Sequence, residues 1–163
     1  MKSRLVFLTL AFAVVGASCN TSRQIYTNYT YETECLGNGQ DGFQILKTWG
    51  KGRTRSEAIG QAQKNGVRDV LFKGVTKGPG GCFVRPIITE VNAQERYEEF
   101  FNSFFSDNGD YKKFVTRKTN AVDNINIKEK SARAGYEKTY SVVVEVSYAN
   151  LRSYMQSKGI LKL

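Results

Sequence analysis

The chain has 163 residues, a formal net charge of +9, 12% aromatic residues, two prolines and no histidine. That length suits one ordinary hydrophobic core, and the aromatic content with so few prolines marks a globular chain rather than a disordered one. Without imidazoles, Ser-His-Asp and Cys-His nucleophilic sites, imidazole acid–base catalysis and His-bearing zinc centres are all excluded.

The first predicted element is a leader. Lys2 and Arg4 precede an uncharged apolar run from Leu5 to Val15. At about eleven residues the run has signal-peptide length and is too short to span a bilayer. Gly16, Ala17 and Ser18 then close on Cys19. Small residues ending at a cysteine resemble the signal of bacterial lipoproteins, although Gly16 stands where that family's motif usually carries Leu, Val or Ile. The resemblance implies cleavage before Cys19, a diacylglycerol on its thiol and acylation of the new amino group. Residues 1–18 are then the signal peptide, 19–29 a lipidated tether and 30–163 a single domain. A plain secretory signal with a chance cysteine near the cut is the alternative. Arg23 is the only charge in the tether. The lack of acidic residues there resembles lipoproteins that face the periplasm at the outer membrane rather than the cell exterior.

With Cys19 assigned to lipid, Cys35 and Cys82 remain, an even number in a compartment that permits disulfides. They are expected to pair, closing a loop of about 47 residues and stabilising the fold by about 3 to 4 kcal/mol in chain-entropy terms. Two separate buried thiols acting as small apolar residues are the alternative.

The Thr- and Tyr-rich stretch 29–36 predicts a strand, and GNGQDG a glycine-rich turn. Residues from Phe43 resume extended character, with Phe43 and Ile45 on one side and Leu46 and Thr48 on the other. Trp49, Gly50 and Gly52 are expected to end that strand. GKGRT lacks the spacing of a phosphate-binding loop, so its glycines are read as a sharp turn into a helix. Thr54 and Glu57 form a capping box for that helix. Ala58, Ala62 and Gly66 lie four apart as a groove for close approach to a sheet, whereas Gln61, Lys64, Asn65, Arg68 and Asp69 take the wet side. The helix should stop at Phe72 or Lys73, before Gly74.

The glycine pair leading into a helix of regularly spaced alanines, WGKGRTRSEAIGQAQKNGVRDVLFKGV, resembles small envelope domains of several bacterial lipoproteins. These include the twenty-kilodalton surface-lipoprotein type and the amino-terminal domain of a flagellar-assembly protein. Together with CLG, DG, EVNA and a closing GILK, the chain is similar to an uncharacterised lipoprotein group of gut and oral anaerobes. That resemblance implies an α+β envelope module with no known enzyme activity and no catalytic residues.

Further along, CFVRPII reads as an edge strand interrupted at Pro86. Asn92 and Glu95 predict the start of a second helix. Its Tyr97, Phe100, Phe101, Phe104 and Phe105 form one apolar stripe, expected to be core packed on the sheet. SDNGD is a turn, because a calcium loop started at Asp107 would put Lys118 where its closing glutamate is due. An exposed hairpin then carries the most basic stretch, Lys112, Lys113, Arg117, Lys118, Lys128, Lys130 and Arg133, a candidate patch for an anionic partner. Val142, Val144 and Val146 mark one face of the clearest strand. Leu151, Tyr154 and Met155 share a face of a short last helix closed at Gly159.

The expected fold is α+β: a small mixed or antiparallel sheet, two main helices packed on one face and a short C-terminal helix. No cofactor or metal is implied. The expected function is a non-enzymatic, membrane-anchored binding or scaffold module. Its partners would be the membrane through its lipid and an envelope protein or cell-wall polymer, not nucleic acid. One alternative is a cell-wall glycan-acting enzyme using paired carboxylates from Glu32, Glu34, Asp41 and the 95–99 run, which needs two of them within about 10 Å in one cleft. The other is a small-ligand binder, with an enclosed apolar pocket beside the phenylalanine stripe.

Overall fold

Alternating side chains in FQILKTWGKG build strand β2 (Phe43–Gly52), and the β-branched run near the C-terminus builds β5 (Tyr136–Ser147). These two form the antiparallel centre of the sheet, in register from Phe43 opposite Ser147 to Gly52 opposite Lys138. The computed structural model describes residues 31–118, 127–130 and 136–161, with backbone alone for 127–130 and 136–138. Strand β1 (Glu34–Asn38) pairs antiparallel with the free side of β2, with a bulge between Cys35 and Gly37. On the far side of β5 lie β3 (Val115–Arg117) and β4 (Ile127–Lys130), both antiparallel to it. The order is β1-β2-β5-β3, with β4 farther along β5. The architecture is α+β, as the patterning implies, and among the described residues the strand ladders are antiparallel, with one isolated parallel bridge between Glu34 and Lys77.

Helix α1 (Arg55–Arg68) starts with the predicted capping box. The Glu57 amide donates to Thr54 Oγ1 at 3.2 Å, and the Thr54 amide donates to Glu57 Oε2 at 3.3 Å. It lies directly on β2, which runs through Trp49 and Gly50 and ends at Gly52 as expected. A side chain at Gly50 would occupy the space of the Ala58 carbonyl and Ala62 amide. Across the interface, a Cβ on Gly66 would meet Thr48 Cγ2 at 2.8 Å and Val144 Cγ2 at 3.3 Å. The small-residue stripe therefore sets the helix–sheet distance, with Ala58 and Ala62 fully buried.

Beyond Arg68 the helix widens into a π turn, Asp69–Lys73, and stops at Gly74 in the left-handed region (φ 74°). The wider turn shifts the helical phase. Asp69, expected on the wet side, is turned inward to accept a hydrogen bond from Thr33 Oγ1. Residues 84–88 form no ladder strand. Val84 exchanges two 2.9 Å bonds with Val75, and the amides of Ile87 and Ile88 then donate to the carbonyls of Val70 and Leu71 at 3.0 and 2.8 Å. The segment that Pro86 disqualifies from a ladder instead satisfies the end of a helix.

The second predicted helix is two short pieces, α2 (Ala93–Arg96) and α3 (Glu98–Phe104), broken at Tyr97 (φ −114°, ψ 34°), and Asn92 makes no side-chain cap. Its stripe is core, with Phe101, Phe104 and Phe105 buried. The rings, however, meet other rings rather than the bare sheet. Phe101 packs edge-on to Phe72, with centroids 4.9 Å apart. Phe104 meets Phe114 and Tyr154, and Phe105 meets Tyr111. Helix α4 (Tyr148–Ser157) ends in a left-handed closure. Gly159 (φ 71°) donates to Gln156 at 2.9 Å and Ile160 to Met155 at 3.0 Å.

Candidate functional site

Three places on the domain carry chemistry. The first is where the chain enters. The Tyr31 ring stacks on Trp49, centroids 4.7 Å apart, and Lys47 Nζ sits 5.2 Å from the same indole. Glu34 links this corner to the next segment, pairing with Lys77 at 2.8 Å and Lys47 at 3.8 Å. The hydrogen bond from Lys77, with Lys47 nearby, holds the Glu34 carboxyl below its usual range. An ionised, doubly paired carboxylate makes a poor proton donor, so within a carboxylate pair Glu34 fits the ionised member and not the acid.

Beside it, Cys35 and Cys82 form a disulfide, Cα atoms 5.7 Å apart, with Cys35 fully buried. The Cys35 amide donates to the Lys77 carbonyl at 2.6 Å, so the outer edge of β1 is covered at that point. Cys19, the predicted lipidation residue, lies outside the described residues.

The second place is the basic stretch, which the structure divides. Lys112 and Lys113 sit on a 3-10 turn (Asp110–Phe114), and Arg117 and Lys118 lie on or just past β3. Lys113 pairs with Asp110 at 2.7 Å and Lys118 with Glu145 at 2.6 Å, while Arg117 is half-buried opposite Val144. Lys128 and Lys130 lie on β4, opposite Lys138 and Tyr136. That is about 20 Å farther along β5 at strand spacing. Arg133 falls outside the described residues. Among the described residues β3 and β4 do not pair with each other as a hairpin would; each pairs antiparallel with β5. Asp110 also accepts from the Tyr154 hydroxyl at 2.6 Å. Burial and that bond push the phenol up to about 12.

The third place is a groove of about 590 Å³ between α1 and the α2–α3 pair. Helix α1 contributes Gln61, Lys64 and Arg68, at spacings of three and four that put them on one face. The opposite wall holds Gln94, Glu95, Glu98 and Asn102, and Phe101 and Phe105 form the floor. Arg68 lies over the Phe105 ring, 4.9 Å from its centroid. Lys64 lies 5.5 Å from the Tyr111 centroid and 3.4 Å from Asp107 Oδ1. The groove is open and polar-walled, unlike the enclosed apolar pocket expected of a small-ligand binder beside these rings.

Sequence reading places Gln61, Lys64 and Arg68 only on a solvated face. The signal that could have paired them with the other wall is a matching polar spacing at residues 94, 98 and 102. Among the described residues, no group of three or more His, Cys, Asp or Glu side chains is placed to hold a metal ion. No protein-family model, curated protein or solved structure matches the chain.

Proposed function

We propose that the chain is an acylated lipoprotein of the bacterial envelope, held by Cys19, whose domain acts by binding a partner rather than transforming a substrate. The observation that carries this reading is the Cys35–Cys82 disulfide, built on a fully buried cysteine at the edge of the sheet. Such cross-links form and persist in exported proteins and are rare in the reducing cytosol, in agreement with a leader ending at Cys19. The 19–29 tether then has a reach of about 35 Å when fully extended.

Intact mass and detergent partitioning of wild type against Cys19→Ala provide the test. Wild type should carry added acyl mass and enter the detergent phase, and the variant should do neither. Equal partitioning of the two would remove the anchor from the account.

A second reading has one observation in its favour: Glu95 and Glu98 line the same groove, as a glycan-cleaving carboxylate pair must. It requires release of reducing ends from cell-wall glycan, abolished in both Glu95→Gln and Glu98→Gln. Binding without turnover decides for the first reading.

A further inference from the structure

We propose that the groove between α1 and the α2–α3 pair binds a short zwitterionic peptide, its carboxylate on the Arg68 wall and its ammonium on the Glu95–Glu98 wall. The two walls carry opposite charge and do not close on each other. Among the described residues, Lys64 is engaged by Asp107 and the Tyr111 ring, Arg68 by the Phe105 ring, and neither reaches Glu95 or Glu98. Stacking on Phe105 restrains the guanidinium yet leaves its fork of N–H donors for a carboxylate, a geometry lysine cannot reproduce. Less side-chain freedom then remains to be lost when a ligand arrives.

The remaining lining narrows the class. Gln94 and Asn102 offer amide donors and acceptors suited to a peptide backbone, joined by the carbonyl of Gln61, whose Nε2 donates to Asn65 Oδ1 at 2.8 Å, and the Phe101–Phe105 floor offers apolar contact for small side chains. A polyanion such as a nucleotide would meet the Glu95 and Glu98 carboxylates. A neutral glycan would leave both charged walls without counter-charges. The volume lies within the range of small-ligand sites, about 300 to 1,000 Å³.

Within the envelope, the stem peptide of the cell wall supplies such a ligand, with free carboxylates and a free ammonium on its diamino residue. This choice of source rests on the envelope reading above, whereas the charge chemistry does not. Calorimetric titration of the mature chain with a synthetic stem tetrapeptide provides the test, beside its C-amidated and N-acetylated forms and a tetra-alanine of the same length. The stem peptide should bind saturably, and each blocked form should bind about tenfold more weakly, as loss of one charged contact implies.

Arg68→Gln should weaken the free peptide equally and make C-amidation indifferent, Arg68→Lys should recover only part of the loss, and Glu98→Gln should make N-acetylation indifferent. Arg152→Gln, on an exposed residue outside the groove, should bind as wild type, and all variants should melt alike. Absence of saturable binding by every peptide, or equal affinity of wild type for free and blocked forms, would overturn the proposal. Tetra-alanine binding as tightly as the stem peptide would keep the zwitterion site and reject the cell-wall source. Tight stem-peptide binding by a chain whose Cys19 carries no acyl mass would keep the groove and reject the anchored reading.

Discussion

At Gly50 the strand carries no side chain because the backbone of α1 already fills the space one would need. Gly50→Ala should therefore destabilise the domain by about 3 kcal/mol or more, at or beyond the usual range for overpacking. Gly60, on the same helix, has nothing within 4 Å of where an alanine methyl would sit, and Gly60→Ala should stabilise by up to about 1 kcal/mol. Urea midpoints at constant slope read both changes. Asp69 and Glu34 titrate with opposite sign. Burial raises the Asp69 carboxyl above its ordinary 3.8, so its contribution is fully present below that value and is lost as pH rises through the folded-state value. The lysines lower Glu34 below its ordinary 4.5, so its contribution is present above that value and is lost as pH falls. Asp69→Asn keeps an acceptor for Thr33 and removes the buried charge. It should raise stability at neutral pH, and the gain should vanish on acidification. Urea unfolding across the acid range measures this, and a gain independent of pH would contradict the assignment.

Elements that declare themselves locally are legible in the sequence. The Thr54–Glu57 box, the Ala58–Ala62–Gly66 stripe, the alternating valines of β5 and the Gly159 closure each depend on neighbours a few residues away. What the sequence hides depends on distant partners. Nothing between Arg96 and Glu98 announces the break at Tyr97, and the π turn that brings Asp69 beneath Thr33 has no compositional mark. The basic stretch reads as one hairpin because pairing of β3 and β4 to a shared strand is a property of the sheet, not of the stretch. The groove is hidden for the same reason: its walls are ordinary solvated faces until two helices are set opposite each other. The disulfide ties the turn beyond α1 to β1 across 47 residues. Replacing Cys35 and Cys82 together by alanine should cost about 4 kcal/mol by loop-closure entropy. It should also loosen the Cys35–Lys77 backbone bond, seen as faster amide exchange at Cys35's position while β5 stays protected.

At the scale of the molecule, part of the positive charge on the described residues is paired. Lys47, Lys77, Lys113 and Lys118 are each engaged by a nearby carboxylate. Exposed pairs of this kind contribute little to stability, about 0 to 1 kcal/mol each, but they thin the field an approaching polyanion would sense. The corner at Tyr31 offers an optical probe. Trp49 is the only tryptophan in the sequence, and the first described residue, Tyr31, stacks on it. The protein thus has a built-in optical gauge at this corner, with no competing indole. Tyr31→Ala should shift the emission to the red by wetting that ring. Under the anchor proposed above, the same shift on reconstitution into bilayers would report tension passed to Tyr31 from the lipid, and an unchanged spectrum would report slack.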